Sequence, residues 1–245
     1  MKFVFDLDGT ICFKGKPLTD EILEAFQQVE ADGHAIIIAS ARPIRDIYPV
    51  LTKSYYALSM VGGNGAFIFD GEKIEVQAFS QETRQILEQL FKEGNLRYLV
   101  DGAWDYSYTG PEHHPIFQQL DALKLAQNSS FESLEEIVKC VLFTQDINVL
   151  KQLQQVDVVI HVHGEEGILD ISPSGVHKAT GLMRLGIEPG TYIAFGNDEN
   201  DFHMLQQAKV AVCVGTNDKL QKIAHHICDE QSVADRIRSL SSQYK

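Results

Sequence analysis

The chain has 245 residues, 44% hydrophobic and 22% charged, the balance of a packed globular protein rather than a disordered one. Its 34 Asp and Glu against 21 Lys and Arg leave a net charge of −13, which argues against nucleic acid or an anionic membrane as main partner but leaves room for a small phosphate in a locally positive site. Cys12, Cys140, Cys213 and Cys228 lie far apart with no Cys-x-x-Cys pair, a charge arrives too early at Asp6 for a signal peptide, and no apolar run approaches the about 18 residues that span a bilayer. A soluble cytoplasmic protein with reduced thiols is expected.

In chain order, Lys2 to Phe5 is an unbroken apolar run of the kind buried on both faces in a parallel sheet. Thr19 is expected to cap a helix with Asp20 and Glu21 in its first turn, with Ile22, Phe26 and Val29 on one face and Gly33 at its end. Ala35 to Ala39 follows as a second strand, completing a βαβ unit. Ser80 to Glu93 reads as a helix with Ile86, Leu87, Leu90 and Phe91 inward, ended by Gly94 and Asn95. Ser133 and Glu136 form a capping-box pattern that predicts another helix, and 156–162 and 168–171 read as strands. Lys178 to Leu185 is a helix closed by Gly186, followed by strand 192–196, a helix from about Asn200 to Gln207, and strand 210–214. The fold class is therefore α/β: a doubly wound, mainly parallel, Rossmann-like sheet with an inserted α+β domain. The expected division is 1–79 and 176–245 for the core and 80–175 for the insert.

The strongest chemical signal is Phe3-Val4-Phe5-Asp6-Leu7-Asp8-Gly9-Thr10, a buried strand ending in two carboxylates separated by one residue. Ligands of parallel sheets sit at the carboxyl ends of strands. Asp and Gly also make turns, but two acids at the end of a buried strand need a cation or hydrogen bonds. Three further motifs follow: Ser40-Ala41-Arg42-Pro43 after the second strand, Lys178 opening a later helix, and Gly196-Asn197-Asp198-Glu199-Asn200-Asp201 after strand 192–196.

These four motifs, in this order and each at a strand end or helix start, resemble those of the haloacid dehalogenase-like (HAD) phosphohydrolases. The place of the insert, together with Gly62-Gly63-Asn64-Gly65-Ala66, is similar to the Cof-like type IIB branch, whose insert is an α/β cap. Two positions depart from the usual pattern. Asn197 stands where the family more often has Asp, as in some Cof-like members, and Ala41 stands where Gly commonly precedes the arginine.

The resemblance implies a Mg²⁺-dependent phosphatase acting on a small phosphorylated metabolite, with Asp6 as the nucleophile that becomes an aspartyl-phosphate and Asp8 as the acid/base. It implies phosphate contacts from Lys178, Ser40, Asn200 and the backbone amides of Leu7 and Ala41, and a metal shell of Asp6, the Asp8 carbonyl, Asn197 and Asp201, with Asp198 as a substitute carboxylate. Arg42, Asn64, His113 and His114 are expected to face the substrate. A phosphomannomutase-like mutase and a catalytically impaired metabolite-binding protein are the rival readings, the second prompted by Asn197. His113-His114 and His161-Val162-His163 also invite a metal reading, although packing or a cap loop explains them as well. Trp104, Tyr106 and Tyr108 alternate as an aromatic strand face would.

Overall fold

In the computed structural model, which describes residues 1–164 and 167–245, the short apolar runs become strands paired on both edges. The chain begins with β1 (Lys2–Phe5), α1 (Asp20–Ala31), β2 (Ala35–Ala39), α2 (Ile44–Ile47), β3 (Ser59–Gly62), β4 (Phe67–Phe69) and β5 (Ile74–Val76). It continues through α3 (Gln81–Gly94), β6 (Tyr98–Asp101), β7 (Tyr106–Tyr108), α4 (Pro115–Gln119), β8 (Lys139–Leu142), α5 (Ile147–Leu153), β9 (Val158–His163) and β10 (Ile168–Pro173). It ends with α6 (Lys178–Arg184), β11 (Tyr192–Gly196), α7 (Phe202–Gln206), β12 (Val210–Val214), α8 (Asp218–Gln221), β13 (His226–Cys228) and α9 (Val233–Gln243). Two compact units result: Met1–Ile74 with His177–Lys245, and Glu75–Val176. Among the described residues no helix is long and apolar enough to cross a membrane.

The sheet of the first unit has the order β13-β12-β11-β1-β2-β3-β4-β5. Every pairing from β13 to β3 is parallel, and β4 joins antiparallel. The fold class is thus α/β with a mainly parallel sheet. β1 lies between β2 and β11, so chain direction across the sheet reverses at its edge, the position where open α/β sheets bind ligands. Val4, Ile37, Ala39, Val61, Leu182, Ala194 and Ala211 form one continuous core. α1 buries Ile22, Ala25, Phe26 and Val29, as its spacing predicts. Thr19 occupies the cap position without a side-chain capping bond, and the acidic first turn supplies the favourable charge.

The second unit carries a five-stranded antiparallel sheet, β7-β6-β8-β10-β9. Leu87 and Leu90 of α3 pack with Val100, Cys140, Leu142, Leu153, Leu169 and Ile171. Ser80 caps α3, its Oγ accepting from the Thr83 N–H at 3.1 Å, and Asn95 ends it in a left-handed conformation. Two expectations change. The boundary falls at 74/75 rather than 79/80, because Phe79 belongs to this unit's core and donates its N–H to the Ile137 carbonyl at 2.7 Å. No helix follows Ser133: Ser133 Oγ donates to the Ser130 carbonyl, closing a single 3₁₀ turn, and buried Ile137 and Val138 lead directly into β8. An apolar run that can enter a sheet outweighs a capping pattern with no amphipathic face behind it. Tyr106 and Tyr108 lie in β7, whereas Trp104 precedes it and donates its indole N–H to the Leu125 carbonyl at 2.8 Å.

Candidate active site

The chemistry-bearing side chains of the first unit stand where β1, β2 and β11 end and where α6 begins. Asp6 extends β1 by one rung, its N–H donating to the Phe195 carbonyl at 3.0 Å. The chain then turns back: the Leu7 carbonyl accepts from the N–H groups of Thr10, Ile11 and Cys12 at 3.1, 3.0 and 2.8 Å, and Gly9 takes φ +80°. A side chain at Gly9 would be strained and its Cβ would fall on Asn197 Nδ2. Gly9→Ala is therefore expected to destabilise the protein by about 1–3 kcal/mol, read as a lower urea midpoint, and an unchanged midpoint would mean the turn relaxes freely.

Lys178 is the first residue of α6. His177 precedes it in a reciprocal cap: its Nδ1 accepts from the Thr180 N–H, and Thr180 Oγ1 accepts from the His177 N–H. From that fixed start Lys178 Nζ reaches Asp6 Oδ1 at 2.5 Å and Asp201 Oδ1 at 2.6 Å. Asp6, Lys178 and Asp201 are 5%, 0% and 0% exposed. Asp201 can approach because Gly196 has no side chain; a Cβ there would stand 2.6 Å from Asp201 Cβ. Asp201 Oδ2 accepts from the N–H groups of Asn197 and Asp198 at 2.9 and 3.1 Å.

Two buried carboxylates thus share one ammonium. Burial, and then the charge of Asp201, pushes Asp6 up to about 7, against the opposing pull of Lys178 and Thr10. Burial disfavours the Lys178 charge, but Asp201 and Asp6 outweigh it and hold the ammonium protonated well above the ordinary lysine range.

Thr10, to which sequence reasoning attaches no role, places its hydroxyl 2.8 Å from Asp6 Oδ2 and 3.0 Å from Asn197 Oδ1. One hydroxyl proton serves one acceptor at a time, so a carboxylate oxygen and an amide oxygen face the same small space. The available signal is that this Thr closes the Asp-Leu-Asp-Gly-Thr motif. Asp8 is elsewhere engaged: Arg42 Nε and Nη2 donate to its two oxygens at 2.7 and 2.6 Å, and Arg42 Nη1 donates to the Asp46 carbonyl at 3.2 Å. Arg42, expected to face the substrate, thus has its guanidinium on Asp8. Ser40 donates its N–H to the Val61 carbonyl at 2.8 Å, and its Oγ accepts from the Arg42 N–H. Ala41 does not adopt a positive φ, so the missing glycine costs the loop no strain.

Among the described residues no three His, Cys, Asp or Glu side chains form a group that could hold a metal ion. Asp198 caps the Glu199 N–H, and Asp201 is taken by Lys178 and two backbone N–H groups. Of the oxygens expected to hold a cation, the Asp6 carboxylate and the Asn197 amide oxygen face the same Thr10 hydroxyl, hard donors of the type Mg²⁺ takes. His113 and His114 belong to the second unit, where His114 Nδ1 accepts from the Ile116 N–H to cap α4. His161 and His163 are exposed on β9 of the same unit.

Residues 3–236 match the model of the haloacid dehalogenase-like hydrolases. The chain belongs to that family. This HAD hydrolase is 25% identical over 224 residues to the 5-amino-6-(5-phospho-D-ribitylamino)uracil phosphatase YbjI of Escherichia coli, covering 83% of this chain and 80% of the relative. It is 26% identical over 268 residues to the pyridoxal phosphate phosphatase YbhA of the same organism, covering 95% and 94%. Its fold matches the HAD subclass IIB sugar phosphatase BT4131 with a TM-score of 0.75 at 20% identity, covering 99% and 98% of the two chains. It also matches TM0651 from Thermotoga maritima, with a TM-score of 0.80 at 17% identity over 98% and 96%.

Proposed function

We propose that this HAD hydrolase is a Mg²⁺-dependent phosphatase that hydrolyses a small phosphomonoester through an aspartyl-phosphate on Asp6. The observation that carries the reading is the buried Asp6–Lys178–Asp201 cluster at the end of β1, with Thr10 and Asn197 on the other side of the Asp6 carboxylate. An isolated buried carboxylate is costly, and a cluster that holds one at the ligand-binding edge of a sheet supports a chemical rather than a structural role. The phosphatase activities of YbjI and YbhA support the same class of substrate.

In the first step an Asp6 oxygen forms a bond to phosphorus as the bond to the leaving-group oxygen breaks, and Asp8, released from Arg42 and protonated, gives that oxygen its proton. In the second step water attacks the same phosphorus, Asp8 takes the proton from the water, and the Asp6–phosphorus link breaks to release phosphate. Lys178 offsets the charge of two anions brought together, and Ser40, Asn200 and the backbone amides of Leu7 and Ala41 hydrogen-bond the phosphate oxygens. Asp6, the Asp8 carbonyl and Asn197 would hold Mg²⁺, which would supply the positive charge that an anion attacking an anion requires. Glu75–Val176 is proposed as the cap that reads the leaving group, with His113 and His114 on it. Four free and buried cysteines support a reducing, cytoplasmic setting.

The test is release of inorganic phosphate from p-nitrophenyl phosphate and from a panel of sugar, nucleotide and cofactor monophosphates. Turnover is expected with Mg²⁺, to be lost in EDTA and restored by added Mg²⁺. An isomeric sugar phosphate with no free phosphate would make the protein a mutase, and binding without any release would make it a non-catalytic binder.

A further inference from the structure

The Gly63–Gly65 turn after β3 touches three of the four motif loops. The Gly63 N–H donates to the Arg42 carbonyl at 2.8 Å and the Asn64 N–H to the Ser40 carbonyl at 3.0 Å, which fixes the turn to the loop after β2. Gly65 lies against the backbone before Lys178, where a Cβ would fall on the His177 carbonyl, and its own carbonyl accepts from Arg184 Nη1 of α6 at 3.2 Å. Asn64 sits between them at φ 58° and ψ 21°, a left-handed conformation that glycine would adopt at no cost. Its side chain does what glycine could not: Asn64 Oδ1 accepts from Asn200 Nδ2 at 3.2 Å.

That bond ties one end of the Asn200 amide to the turn. An amide has a donor end and an acceptor end, and here the donor end of Asn200 meets the acceptor end of Asn64. With Nδ2 held by Asn64, Asn200 can offer the site only its second N–H and its Oδ1. Asn200 Oδ1 is buried and makes no hydrogen bond within the protein. A buried acceptor of that kind is costly until a donor reaches it, and the second N–H is of the right sign for a phosphate oxygen.

We propose that Asn64 is a positioning residue of the phosphate site, acting through Asn200 by holding one N–H of its amide so that the other is directed at a bound phosphate. Asn64 is thereby assigned to the core machinery and not to substrate selection. The inference rests on the phosphatase reading and on Asn200 belonging to the phosphate site. Asn64→Gly keeps the left-handed turn and removes only the amide. It is expected to raise KM for p-nitrophenyl phosphate and the inhibition constant of inorganic phosphate about tenfold, with the unfolding midpoint nearly unchanged.

A double-mutant cycle tells positioning from general support. Asn200→Ala should produce a similar loss, and Asn64→Gly made on top of Asn200→Ala should add little to it. Wild-type affinity for phosphate in Asn64→Gly, or losses from the two changes that simply multiply, would overturn the proposal while leaving the phosphatase reading intact. A wild-type protein that neither releases phosphate from any monoester nor binds inorganic phosphate would overturn both.

Discussion

Asp6→Asn is expected to abolish phosphate release while making the metal-free protein more stable. An amide nitrogen or a neutral amide oxygen cannot form the acyl phosphate, so kcat should fall by about 10⁴-fold or more. The fold should tolerate the change because each end of the new amide finds a partner: Oδ1 can accept from Lys178, and Nδ2 can donate to Thr10 Oγ1, which then donates to Asn197 Oδ1. Stability should rise because wild type buries two carboxylates around one ammonium, and the variant buries one of each sign.

The pH dependence gives a second readout. The Asp6 carboxyl titrates near 3.8 when unfolded and is pushed up to about 7 by burial and Asp201 in the metal-free fold. Between those values the unfolded chain has released a proton that the folded chain retains, so stability is fully present below about 4 and is lost as pH rises towards 7. Asp6→Asn should remove that slope and gain about 1–4 kcal/mol at neutral pH, measured by urea unfolding in EDTA. Retained turnover would sink the mechanism, and a variant less stable than wild type would sink the electrostatic account of the cluster.

Lys178→Met is expected to do the opposite to stability. It keeps the length and the apolar stem but leaves Asp6 and Asp201 buried with no counter-charge, both of them hydrogen-bonded to the ammonium in wild type. Stranding buried charge in this way costs about 3–5 kcal/mol, and turnover should be lost with it because nothing then offsets the phosphate charge. The combination Lys178→Met with Asp201→Asn should recover part of the stability and none of the turnover. Unfolding curves of the two variants test this directly: equal midpoints for Lys178→Met and wild type would mean the carboxylates are solvated or protonated without penalty.

Much of the site is legible in the amino-acid sequence because its residues sit at strand ends. The apolar run 2–5 must be followed by the sheet's edge, and two carboxylates there imply a ligand. The same logic locates Ser40 after β2, the 197–201 acids after β11, and Lys178 at the start of α6. What is not legible are contacts that depend on a turn folding back. Nothing in Gly9-Thr10 says that the hydroxyl will stand between Asp6 and Asn197. Arg42 reads as a loop cation free to meet substrate, yet its guanidinium is placed on Asp8. The capping-box pattern at Ser133 misleads for a different reason: local hydrogen-bond chemistry is legible, but the pull of buried Ile137, Val138 and β8 into the second sheet is not.

The amino-acid sequence by itself determined the fold class, the order of the four motifs and the chemical types brought to the sheet edge, because strand periodicity and strand termini are local properties of the chain. The tertiary structure decided how those groups divide the work. Asp201 answers to Lys178 because Gly196 leaves space beside it, Asn197 remains with Thr10 near Asp6, and Asn64 turns back onto Asn200. Each of these pairs joins residues carried on different elements, and only packing β1, β3, β11 and α6 against one another fixes distances of about 3 Å between them.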